Sequence, residues 1–162
     1  MGAGVWEVTE VPIDERARNG VWCTLPYPNH KKGCPNYGKR DTCPPKAPKF
    51  EDITKPPYFA VWVTFNLKEH ARRMKEKHPK WSERQCRCVL YWQNTVRKRL
   101  KELSYMVKEI YEKEYGELIV LEIPEANGIN VFKLSKNLPI GPLKVNPDLV
   151  IKIMLVAGYA GS

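Results

Sequence analysis

Cys23, Cys34 and Cys43 stand close together in the segments NGVWCTLPYPNH and GCPNYGKRDTCPP. Thiolates are soft ligands, and three of them along one loop suit zinc or an iron–sulfur cluster. Ten and then eight residues separate them, without the C-x2-C knuckle of zinc fingers and ribbons, so the spacing specifies no metal. Two local features favour a cluster. Cys34 and Cys43 are each followed by proline, which removes a backbone donor and fixes the chain direction just past the ligand. Gly33 and Gly38 permit left-handed turns that aim amides inward, toward cluster sulfides and thiolates.

A fourth ligand has three candidates: His30, Cys86 and Cys88. His30 lies inside the loop, and imidazole serves zinc or iron, although its plainer role is that of an exposed loop residue. Cys86 and Cys88, read as helical, stand about 200° apart and cannot both bind one ion. The plainer role for each is a buried free thiol, with Cys86 packed against Trp81. Tyr37, Lys39 and Arg40 stand between two of the cysteines and suit an anionic substrate held beside the metal; Arg16 and Arg18 offer the same chemistry from the N-terminal arm. His70, Met74 and His78 recur at helical spacing, and we read them as surface residues rather than as a metal site.

The background narrows the chemistry. A chain of 162 residues makes one domain, large enough to bury a core without disulfides or zinc. No apolar run approaches the roughly 20 residues of a membrane span, and the opening MGAGVWEVTEVPIDE is acidic where a secretory signal is basic. The expectation is a soluble cytoplasmic protein with no membrane partner. In a reducing cytoplasm, five cysteines point to metal binding, catalysis or free thiols rather than a disulfide framework. The net charge of +9 is uneven, for residues 67–101 alone hold twelve Lys/Arg against three Glu. Such a block, with Arg84, Arg87, Lys98 and Lys101 on the outer side of its helix, attracts a polyanion such as RNA or a nucleotide. Its blander reading is a solvated face that keeps the chain soluble.

The elements that must position these residues follow from periodicity and punctuation. Eight prolines between Pro26 and Pro57 exclude a helix or central strand there and predict an ordered loop region. YFAVWVTF at 58–65 reads as a strand. Asn66 with Glu69 opens a helix that Pro79 closes, and Ser82 with Gln85 opens a longer one that Gly116 ends. The apolar stripe of that longer helix runs Val89, Val96, Leu100, Leu103, Val107, Ile110. Residues 117–123, 128–134 and 148–158 read as three further strands. Together these predict an α+β or α/β fold, a mixed sheet of about four strands partly covered by two helices, with an N-terminal proline-rich cysteine loop. The chain reads as a single domain over 1–162, residues 1–57 forming the metal-binding loop region packed on a 58–158 core.

Cys23, GCPNYGK at 33–39 and CPP at 43–45 resemble an uncharacterised family of predicted metal-binding proteins of archaea and bacteria. The resemblance continues through a strand, a long amphipathic helix and a late element, here GINV at 128–131. It implies metal binding of iron–sulfur type and no particular reaction. Many relatives carry another cysteine cluster after the long helix, whereas this chain has no cysteine beyond Cys88, which leaves Cys23, Cys34 and Cys43 as the ligand set.

Two functions fit these residues. In the first, three thiolates hold a 4Fe-4S cluster whose open iron acts as Lewis acid or sulfide acceptor on a nucleotide or RNA, for example in sulfur removal or transfer. In the alternative, Cys23, Cys34, Cys43 and a fourth ligand hold structural zinc, and the basic helices bind RNA without catalysis.

Overall fold

The computed structural model describes residues 1–14, 31, 48–141, 146 and 148–161. The fold is α+β, as the sequence predicts, and every pairing in its four-stranded sheet is antiparallel. The strands are β1 (Gly2–Val8), β2 (Thr54–Asn66), β3 (Leu118–Leu121) and β4 (Leu149–Tyr159), in the order β1-β2-β4-β3. The helices are α1 (Phe50–Ile53), α2 (Leu67–Lys77), α3 (Glu83–Cys86), α4 (Gln93–Tyr115) and α5 (Val131–Ser135), with 3-10 turns at Val89–Tyr91 and Pro124–Asn127.

The two central strands are apolar on both faces because both faces are covered. On one side Phe59, Val61, Val63 and Phe65 of β2 join Met154 and Val156 of β4 beneath Val96, Leu100 and Val107 of α4. On the other, Ala60 and Trp62 join Ile153, Leu155 and Ala157 beneath Phe50, Ile129, Val131 and Leu134. Alternate side chains thus feed two separate cores, which is why the strand sequences read as near-continuous apolar runs.

The caps follow the sequence. Asn66 accepts the Glu69 amide at 3.0 Å to open α2, and Ser82 and Gln85 form a reciprocal capping box on α3. Gly116, at φ +83°, ends α4. One turn back, the Glu112 carboxylate accepts the Leu118 amide at 3.0 Å and ties the helix end to β3.

Four elements differ from expectation. Residues 50–57, expected as loop, form α1 and the start of central strand β2, where the ladder is irregular between Lys55 and Tyr58 around Pro56 and Pro57. Residues 2–8 form edge strand β1, which pairs along β2 from Thr64 to Tyr58, so the loop region does not extend to the N-terminus. The indole of Trp62 lies over Gly4, where an added Cβ would stand 2.3 Å from the ring. GINVFKL is not a strand: Asn130 caps α5 by accepting the Lys133 amide at 3.0 Å, and Val131 and Leu134 reach the core at helical spacing. The long helix is interrupted, since α3 stops at Cys86 and α4 starts at Gln93. Arg87 stands at the break as the cap of α3. Its guanidinium pairs with Asp148 at 2.9 Å, and its carbonyl accepts the Trp92 indole N–H at 3.1 Å. Val89 and Ile110 of the expected stripe are therefore exposed, and Leu90 beside Val89 is 80% exposed, while Ser104 and Tyr111 take inward positions on α4.

Candidate metal centre and basic face

Cys23, Cys34, Cys43, His30, Tyr37, Lys39, Arg40, Arg16 and Arg18 lie outside the described residues. The chain entering and leaving their segment is described, and both ends reach one short turn. On the entry side the Asp14 amide donates to the Gly128 carbonyl at 2.8 Å, the Asn130 amide donates to the Pro12 carbonyl at 2.9 Å, and Ile13 bridges Ile129. The Asn130 side chain donates to the Asp14 carboxylate at 3.1 Å. On the exit side the Asn127 side chain donates to the Pro48 carbonyl at 2.7 Å.

Local chemistry builds this anchor. Pro124 opens the 3-10 turn, Gly128 closes it at φ +91°, and the next two residues face the incoming strand. Ile129 is fully buried and Asn130 is 5% exposed, so the turn is bolted to the core rather than laid on it. Holding both ends of a segment removes part of the closure entropy that ligands along it would otherwise lose on gathering round one ion.

Cys86 and Cys88 are free thiols on different elements. Cys86 ends α3 and is fully buried, whereas Cys88 is half-buried at the start of the following 3-10 turn. The expectation of one continuous helix carrying both is therefore corrected. They sit by the Asn66–Leu149 end of the sheet, where Arg87 meets Asp148 and the Leu67 amide donates to the Asp148 carbonyl. Pro48 leads into the opposite end, where the Ala160 amide donates to the Ile53 carbonyl. Among the described residues no three His, Cys, Asp or Glu side chains gather to hold a metal ion. Trp81 stacks on His78 at 3.8 Å and meets Tyr91 at 5.2 Å.

The basic residues divide into engaged and unengaged. Arg87 forks between Glu83 at 2.7 Å and Asp148 at 2.9 Å, and Lys101 pairs with Glu122 at 3.4 Å. Arg84 is engaged as well. Of the four expected to form a basic face, Lys98 is the one without an ion pair among the described residues. Its neighbours Arg97 and Arg99 share that state and the exposed side of α4. The sequence reading missed these two, although three consecutive cations starting one residue after a buried Val96 are a legible signal.

His70 is half-buried. Its Nε2 is enclosed with no hydrogen-bond partner among the described residues, and its ring tilts against Phe65 at 5.4 Å. Burial first, then the cations Arg73 and Lys77, push its pKa below the ordinary 6.5. The unfolded chain therefore binds this proton more readily than the folded one. Stability linked to His70 is present above about pH 6.5 and is lost as pH falls through that value toward the lower folded pKa. Urea titrations across pH 7.5 to 5 are expected to show this loss in the parent, and His70→Phe should flatten it over roughly that window. An unchanged slope in the variant would remove His70 as the cause.

No helix among the described residues is long and apolar enough to cross a membrane. No family model, curated protein or solved structure matches the chain.

Proposed function

We propose that the protein binds an iron–sulfur cluster through Cys23, Cys34 and Cys43, works in a reducing cytoplasm, and holds a nucleotide or RNA beside the cluster on its basic face. The observation that carries this reading is the shared anchor: the chain on both sides of the three cysteines is hydrogen-bonded to residues 127–130.

The donor set fits the group. Three thiolates occupy three corners of a 4Fe-4S cluster, and when bound the cluster supplies a Lewis-acidic iron at the remaining corner. A fully enclosed Cys86 thiol is poorly placed to reach it, which leaves that corner to substrate, to His30 or to the half-buried Cys88. Tyr37, Lys39 and Arg40 would orient an anionic substrate from the loop by charge-assisted hydrogen bonds. The cations Arg97, Lys98 and Arg99, without an ion pair among the described residues, would attract its phosphates, each neutralised phosphate releasing counterions. The resemblance of the GCPNYGK and CPP segments to metal-binding relatives supports the same ligand set.

The experiment is Mössbauer spectroscopy of isotopically enriched protein, run with and without added nucleotide. One iron distinct from the others, responding to the nucleotide, is expected; four equivalent irons that ignore it would oppose an open corner. For the basic face, Arg97→Gln, Lys98→Gln and Arg99→Gln combined should flatten the logarithmic salt dependence of single-stranded RNA binding by about 2, at roughly 0.7 per lost contact. Full retention of affinity and slope would place RNA elsewhere.

A further inference from the structure

Among the described residues, the sheet leaves one run of backbone without a neighbouring strand. β3 pairs with β4 only from Leu121 opposite Leu155 to Leu118 opposite Gly158. Pro124 then diverts the chain into a 3-10 turn, since proline has no N–H to continue a ladder. Among the described residues, the outer edge of β4 from Leu149 to Met154 therefore has no partner strand, while its inner edge pairs with β2. That edge floors a cleft of about 600 Å³ walled by Gln93, Arg97 and Leu100 on α4 and by Ile123, Glu125 and Val131 opposite. Lys152 stands on the floor, and Ile123 and Leu149 present exposed apolar surface.

We propose that this cleft binds an extended acidic peptide as an added strand on β4, with the backbone edge supplying the hydrogen bonds and Arg97 and Lys152 the selectivity for acidic side chains. Six residues at strand rise span about 20 Å, the length of an ordinary strand. Unpaired strand amides and carbonyls are met in full only by another strand, and the apolar walls suit its alternate side chains. The charges favour an acidic occupant. Glu122 is engaged by Lys101 and by the Tyr105 hydroxyl, and burial pushes the Glu125 carboxyl up against the opposing pull of the Lys152 ammonium. A second copy of this chain is opposed by its own charge, because pairing β4 to β4 would bring two Lys152 side chains together on chains of net +9. A nucleic acid would meet carbonyl dipoles as often as amides along the edge, and its phosphates are repelled by the former.

The test uses a capped, fluorescently labelled hexapeptide of alternating valine and glutamate, titrated against the full chain and followed by anisotropy and by amide chemical shifts. Saturable binding is expected, with shifts concentrated at residues 149–154. The same peptide methylated on alternate backbone nitrogens should lose binding, because it cannot donate to the edge. Arg97→Glu with Lys152→Glu, both exposed positions, should weaken the parent peptide at least about tenfold. The proposal is overturned by absence of saturable binding, or by equal binding of the methylated peptide. It is equally overturned by oligouridylate that itself shifts the amides of residues 149–154, or by self-association of the chain through β4 in place of the peptide.

Discussion

Serine at Cys23, Cys34 or Cys43 is expected to abolish the metal centre in each case, with iron and sulfide falling to background in protein purified without oxygen. A serine hydroxyl is a hard, weakly acidic donor, and a cluster held at three corners cannot lose one and persist. The fold should survive, because the described residues by themselves supply two cores and a domain of this size does not need metal to fold. Cys88→Ser is the control, and its iron should match the parent. Loss of iron in Cys88→Ser would show that the half-buried thiol after α3, rather than an open corner, completes the set.

The second large effect concerns the scaffold. Phe59 is 2% exposed, stacks on Tyr111 at 4.5 Å and meets Tyr115 at 5.9 Å. It therefore joins β2 to the last turns of α4. Phe59→Ala removes a buried ring and leaves a cavity between two elements that cannot fully close over it, so a loss of about 3–5 kcal/mol is expected. Against a total stability of roughly 5–15 kcal/mol this is a large share. Trp6→Ala on edge strand β1, where the indole is half exposed, should cost about 1 kcal/mol or less. Urea unfolding of both variants checks the pair, and similar losses in the two would contradict a core centred on the β2–α4 contact.

What could be read in advance divides along the range of the interactions involved. Strands β2 and β4 were legible because their apolar runs are dense, and the helix starts at Asn66 and Ser82 because a cap is a contact across three residues. β1 was not legible. Its sequence GAGVWEV is short and glycine-bearing, and it becomes a strand by pairing with residues 58–64 far along the chain. GINVFKL alternates well enough to pass for a strand, but Asn130 capping its own third residue settles it as a helical turn. At the break in the long helix Arg87 reaches Asp148, sixty-one residues away, and no local periodicity registers such a contact.

The same division runs through the candidate site. The donor types and their proline and glycine neighbours are local facts, open to reading from the sequence. The anchor is not, because it joins Asn127 to Pro48 across 79 residues and Asn130 to Asp14 across 116. Nor was the division of the basic block into Arg87 and Lys101, which are engaged, and Arg97, Lys98 and Arg99, which have no ion pair among the described residues, since composition counts charges without showing their partners.

The most direct measurement is the iron, acid-labile sulfide and zinc content of the full-length protein purified under strict exclusion of oxygen. The account predicts a brown protein with about four irons and four sulfides per chain and no stoichiometric zinc. A colourless protein carrying one zinc per chain would contradict it.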